Sequence, residues 1–200
     1  MSDLQCPARV ILARHAEAMT PGNGLPRRLT PRGGDQARAL AGAARDRRVA
    51  ALWSSTMDRA AQTAGIVAEQ LRLPVTYDDR LRELMADEAS APDPRDADPG
   101  DVYASWLDGD LDGAMFGETG HHVVDRLRSV VEEVADRFRG ETVLLVSHGG
   151  IISLGLIALC RNVDRAWADA HPLEPGEAVE LDVDSSGWAC RRWADHPLAS

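Results

Sequence analysis

The sequence predicts an α/β fold in which a mostly parallel central sheet is covered by helices and finished by a C-terminal β-hairpin. Three observations lead there. Short apolar, β-branched runs alternate with stretches of helical spacing. Two of those runs stop at a polar dipeptide containing histidine, and two strand-like segments joined by "DSSG" close the chain.

Residues 9–13, "RVILA", read as a strand buried on both faces, because they are apolar and β-branched and give way directly to Arg14 and His15. A Gly/Pro-rich loop, "TPGNGLPRRLTPRGG", follows. Residues 35–48 have helical spacing, with Asp35 at the start and Arg45, Arg47 and Arg48 at the end, where the helix dipole favours them. Residues 49–55 form a short strand, 56–73 a long amphipathic helix, and "PVTYDDRLREL" a strand and turn. Two strand–helix alternations are the pattern of βαβ units and a parallel sheet.

Residues 84–117 break the rhythm with Pro92, Pro94, Pro99 and Gly100 and nine acidic residues against one arginine. They read as an acidic lid inserted in a single domain spanning 1–200. Order returns with a helix over 120–140, a strand within "ETVLLVSHGG" (141–150), a buried helix in "IISLGLIALC", and the hairpin "AVELDV"/"GWACRRW".

Two hundred residues, 44% of them hydrophobic, suit one domain with its own core. No stretch approaches the roughly 20 apolar residues of a membrane span, and the N-terminus has no apolar signal core. Cys6, Cys160 and Cys190 lie far apart without a CxxC, which predicts a reducing, cytoplasmic compartment. All 22 basic residues are arginine. Residues 1–60 carry a net +5 and residues 61–200 a net −15. Such an acidic chain repels nucleic acid and anionic membranes, so an anionic ligand needs a local arginine pocket. Pattern alone does not separate an exposed apolar stripe from core, which leaves a homodimer open.

In parallel sheets ligands bind beyond the carboxyl ends of the strands. "VILARH" delivers Arg14 and His15 there, "VLLVSH" delivers Ser147 and His148, and Arg59 lies in the first turn of the helix after "WSST". If the two strands are neighbours, the histidines face each other across one crevice. Two arginines and two histidines suit a tetrahedral dianion, because guanidinium forks match phosphate geometry.

These residues lie in six ordered blocks: "ARHAEA", "LTPRGGDQA", "SSTMDRAAQTA", "LRE" at 81–83, "GETG" at 117–120 and "VSHGG". In them the chain resembles the histidine phosphatase superfamily, also called phosphoglycerate mutase-like. The resemblance implies a three-layer α/β/α sandwich of phosphoglycerate mutase-like type and assigns roles. His15 is the nucleophile, forming a phosphohistidine that water cleaves. Arg14, Arg59 and His148 hold the phosphoryl oxygens. Glu83 is the general acid and then the base, with Asp87 or Glu88 as alternatives. His15 must be neutral, its other ring N–H held by an acceptor such as a backbone carbonyl. Thr20, Asn23, Arg27, Trp106 and Gly149 are candidate substrate contacts; the five tryptophans read mainly as core or hairpin packing, with Trp106 alternatively a cover from the lid. The route needs no cofactor, and the histidines lack paired metal-ligand spacing. His121 and His122 begin a helix and face solvent.

Three positions depart from the family pattern. Ala16 stands where the family usually has glycine, costing about 1 kcal/mol if that residue must take positive φ. Ala18 and Pro21 stand where Thr and Asn are frequent, so two polar contacts near the phosphate are either missing or supplied elsewhere, with Thr20 and Asn23 as candidates. Nine lid carboxylates repel polyanions, which favours hydrolysis of a small-molecule monophosphate such as a sugar, amino-sugar or nucleoside phosphate. The alternatives are a mutase-like phosphotransferase, a protein phosphohistidine phosphatase, and a non-catalytic phosphate-binding module.

Overall fold

The computed structural model describes residues 7–20, 27–84 and 98–199. β1 (Ala8–Arg14) is followed by α1 (Pro31–Asp46). That helix begins ahead of Asp35, because the Thr30 hydroxyl accepts from the Gly33 amide at 3.0 Å and Pro31 occupies the first position. β2 (Val49–Ser54), α2 (Asp58–Leu71) and β3 (Val75–Tyr77) come next, then a single 3-10 turn at Asp79–Leu81. After α3 (Pro99–Leu107), β4 (Ala114–Met115) pairs with β5 (Glu118–Thr119) in a small hairpin. α4 (Gly120–Arg137), β6 (Thr142–Ser147), α5 (Gly149–Leu159) and α6 (Arg165–Ala170) lead to β7 (Ala178–Asp184), β8 (Gly187–Trp193) and β9 (His196–Pro197).

The main sheet has the order β3-β2-β6-β1-β7-β8-β9, with its first four strands parallel and the C-terminal strands antiparallel. Alternate residues of the central strands face opposite layers. Val10, Leu12, Val143 and Leu145 pack with α4 and α5, while Ile11, Ala13, Leu144 and Val146 pack with α1 and α2. Burial on both faces is why these strands read as unbroken apolar runs. Each such valine, leucine or isoleucine contributes about 1.5–3 kcal/mol. The result is the three-layer α/β/α sandwich with its C-terminal hairpin.

Part of the 84–117 segment is core rather than cover. α3 buries Val102 and Trp106 against the α4/α5 layer, and Trp106 is 1% exposed. Its indole Nε1 donates to the Gly113 carbonyl at 2.9 Å. Of the two expectations for Trp106, core packing holds and the cover over a substrate is corrected: its apolar ring gains more from the core, where a neighbouring carbonyl satisfies its polar edge. No helix among the described residues is long and apolar enough to cross a membrane.

Candidate active site

The register decides where the site forms. β1 and β6 are parallel neighbours with Arg14 opposite Ser147, so His15 and His148 both stand one residue beyond the sheet. The ladder continues through His15, whose amide donates to the Ser147 carbonyl at 2.8 Å. Their ring centroids lie 5.1 Å apart, edge to face.

His15 is held from both ring nitrogens. Nδ1 donates to the Ala16 carbonyl at 2.7 Å, and Nε2 accepts from Arg59 Nε at 3.0 Å. An acceptor on one nitrogen and a donor on the other select the neutral Nδ1–H tautomer with a lone pair on Nε2. Burial, aided by the charges of Arg59, Arg14 and Arg27, pushes the imidazole pKa down to about 4 against the opposing Ala16 hydrogen bond. His15 is neutral at pH 7.

His148 precedes the first turn of α5 and is fully buried. Its Nε2 lies 2.9 Å from Ser55 Oγ, which also accepts from the Met57 amide at 3.2 Å. Burial first, then the Arg59 charge and His15, hold its pKa well below the usual histidine range. Arg14 Nη1 donates to the Leu173 carbonyl at 2.6 Å. Arg14 Nε and His148 Nδ1 are buried and make no protein hydrogen bond among the described residues.

Glu83 lies at the N-terminus of α5. Its Oε1 accepts from the amides of Leu84 and Ile151, both at 3.0 Å, and Oε2 accepts from the Gly150 amide at 3.2 Å. The positive end of the helix suits a carboxylate. Only glycine allows that approach, since a Cβ on residue 150 would meet Glu83 Oε1 at 2.8 Å. Arg14 and Glu83 also line a cavity of about 370 Å³ between α3, α5 and α6, with Tyr103, Ser153, Ile157 and Asp169 on its walls.

Several side chains that hold this arrangement were not singled out as individual residues, although they sit inside the quoted blocks. Gln36 Oε1 accepts from the Glu17 amide at 2.8 Å, Thr63 Oγ1 from the Ala16 amide at 3.0 Å, and Gln62 Oε1 from the Leu29 amide at 3.2 Å. They fix the backbone just after His15 and the Leu29 segment that bridges to Ala18. Ala16 is not among the described residues with positive φ, so alanine there carries no left-handed strain.

The remaining predicted contacts divide. Gly149 touches the site, a Cβ there lying 3.1 Å from Arg14 Nε, and Arg27 contributes charge at His15. Thr20 is exposed in the loop beyond His15. Trp106 is in the core, as above. Asn23, and with it Pro21, Asp87 and Glu88, lies outside the described residues. His121 and His122 are each 62% exposed, as expected.

The sequence pattern of the histidine phosphatase superfamily (branch 1) matches residues 10–196. The chain belongs to that superfamily. Within it, a probable phosphoglycerate mutase, GpmB, from Escherichia coli O1:K1 is 29% identical over 169 residues, covering 82% of this chain and 78% of its own. A mycobacterial glucosyl-3-phosphoglycerate phosphatase solved with inorganic phosphate superposes with a TM-score of 0.71 at 27% identity, covering 96% of this chain and 99% of that one. The structure of a putative alpha-ribazole-5'-P phosphatase from Escherichia coli shares the fold at a TM-score of 0.66 and 19% identity, with 97% and 99% covered. This chain is thus a phosphatase-superfamily enzyme, and Arg14, His15, Arg59, Glu83 and His148 all lie inside the matched region.

Proposed function

We propose that this histidine phosphatase hydrolyses a phosphate monoester of a small molecule through a phosphohistidine on Nε2 of His15. The observation that carries the reading is the state of that imidazole: neutral, with Nδ1–H anchored on Ala16 and the Nε2 lone pair directed at Arg59. The lone pair attacks phosphorus and the ester P–O bond breaks. A proton on Glu83 passes to the leaving oxygen. Water then attacks the phosphohistidine, Glu83 takes its proton, and inorganic phosphate and free His15 result. Oε1 of Glu83 is committed to two amides, whereas Oε2 accepts one long bond and retains capacity for the transferred proton.

The phosphoryl oxygens find donors in Arg59, in the buried Nε of Arg14 and in the ring of His148. With the Ser55 hydroxyl donating to Nε2 of His148, its Nδ1–H is left for the substrate. The cavity beside Arg14 and Glu83 takes the leaving group. Its ionic lining is Arg14, Glu83 and Asp169, a poor site for a second phosphate or a carboxylate, which favours hydrolysis of a monophosphate over a mutase reaction. That lining also admits a leaving group with an amine, as in amino-sugar or amino-alcohol phosphates.

Incubation with para-nitrophenyl phosphate and quenching at alkaline pH, where phosphohistidine persists, tests the reading. Turnover and one acid-labile phosphate per chain are expected, both lost in His15→Ala. Turnover that survives His15→Ala overturns it.

A further inference from the structure

Two buried charged side chains among the described residues take no part in the reaction above. Glu118 is 5% and Arg126 7% exposed, and they pair with each other, Arg126 Nε lying 3.2 Å from Glu118 Oε1. Burying such a pair costs more desolvation than an apolar replacement would, so stability alone is a weak reason for it.

The other bonds of Arg126 supply a reason. Nη1 donates to the carbonyls of Arg80 at 2.8 Å and Arg82 at 2.7 Å, and Nη2 donates to the Glu83 carbonyl at 3.2 Å and to Glu118 Oε2 at 3.3 Å. With Nε on Glu118, all five guanidinium donors are used. Three of them hold main-chain carbonyls of residues 80–83, a 3-10 turn and its exit with no sheet neighbour for those oxygens. Glu118 closes the frame from the other side, its Oε1 accepting from Arg82 Nη2 at 2.8 Å. The turn that carries Glu83 is thus fastened to α4 by one planar fork, which lysine cannot reproduce.

We infer that Arg126, oriented by Glu118, is a positioning residue for the proton transfer made by Glu83. This rests on the general-acid assignment of Glu83 above. A side chain set about an ångström off its proton-transfer geometry loses much of its effect, and general acid catalysis typically contributes 10²–10⁴-fold.

The test uses the full chain and a series of aryl phosphates whose leaving groups run from p-nitrophenol to phenol. The better leaving group needs little protonation, so a displaced acid costs least there. Arg126→Met is expected to lower kcat/KM for phenyl phosphate at least about 10-fold more than for p-nitrophenyl phosphate, following the slope of Glu83→Gln. Arg126→Lys, which keeps the charge, is expected to fall between wild type and Arg126→Met and covers the case in which the methionine variant does not fold. Glu83→Gln/Arg126→Met should be no worse than Glu83→Gln alone, because both remove one function. A uniform loss across the series in both Arg126 variants, or multiplicative losses in the double variant, overturns the inference while a steep Glu83→Gln series stands. A flat series for Glu83→Gln overturns the acid assignment and the positioning role together.

Discussion

Arg59 donates its Nε–H to Nε2 of His15 at 3.0 Å, so in the free protein the lone pair proposed as the nucleophile is engaged by a phosphate-binding candidate. An incoming phosphoryl group must take over that guanidinium before the nitrogen can attack. Burial first, then the charge of Arg59 and the other arginines, keeps the ring neutral. Arg59→Ala is therefore expected to raise the His15 pKa from about 4 toward the ordinary value, read by ¹⁵N imidazole shifts during an acid titration. It should also lower kcat by roughly 10²–10³-fold, the usual loss when one donor to a developing charge is removed. An unchanged His15 titration would separate the arginine from the nucleophile.

The low pKa of His15 ties stability to pH with a definite sign. An unfolded chain takes up this proton near pH 6.5 and the folded protein only near 4, so between those values the unfolded state binds more protons. Stability is full above about pH 6.5 and falls as pH drops through the window, by on the order of 3 kcal/mol from this group. His148, depressed in the same direction by burial and its cationic neighbours, adds the same sign. Urea unfolding at pH 7 and at pH 4.5 measures it. His15→Gln should lose less stability between the two pH values than wild type does, and equal losses would contradict the depressed pKa.

Gly150 lets a carboxylate approach a helix end. A methyl there would lie 2.8 Å from Glu83 Oε1 and 2.9 Å from Leu84 Cδ1, both ends of side chains that can move. Gly150→Ala is therefore expected to displace the Glu83 carboxylate while the fold survives. Steady-state assays should show kcat falling about 10-fold or more, with inhibition by inorganic phosphate changed less than 3-fold, since acid catalysis is lost and oxyanion binding retained. Weaker phosphate binding at constant kcat would place Glu83 in binding instead.

The chemistry was legible in the sequence where it coincides with strand ends. An Arg-His pair at one strand end is by itself an ordinary loop; Arg14–His15 is legible because Ser147–His148 ends a second apolar run and Arg59 opens a nearby helix. The sheet confirmed the adjacency of the two strand ends. The start of α1 was legible too, in Thr30 followed by Pro31, but Asp35 drew the boundary inward. What could not be read is what long-range hydrogen bonds decide. Ser55 meets His148 across 93 residues and Arg126 meets the Arg80 carbonyl across 46, contacts that only the assembled layers create. For Trp106 the sequence leaves core packing and a cover over the substrate both open, and only the placement of α3, with its apolar face on the core, decides for packing.

Gly33 offers the opposite test from Gly150. The first turn of α1 runs against the segment after the nucleophile, and a Cβ at residue 33 would sit 2.0 Å from the Glu17 carbonyl oxygen and 3.2 Å from the Glu17 nitrogen. These are main-chain atoms, and they cannot swing aside. The Glu17 carbonyl also accepts from the Thr30 amide at 3.0 Å, and its amide is held by Gln36, so moving it breaks the tie between α1 and the His15 loop. Gly33→Ala is thus expected to destabilise the protein by about 1–3 kcal/mol, the usual cost of overpacking. At roughly 2–4 °C per kcal/mol for a chain of this size, a thermal melt resolves the loss. Activity should fall with it, because Ala16 and Glu17 carry the carbonyl and backbone that orient the His15 ring. The strain lies in the loop that follows His15, so saturating phosphate should recover only part of the lost melting temperature. A variant that melts with wild type would show that the helix and loop can part without cost, and would remove Gly33 from the support of the site.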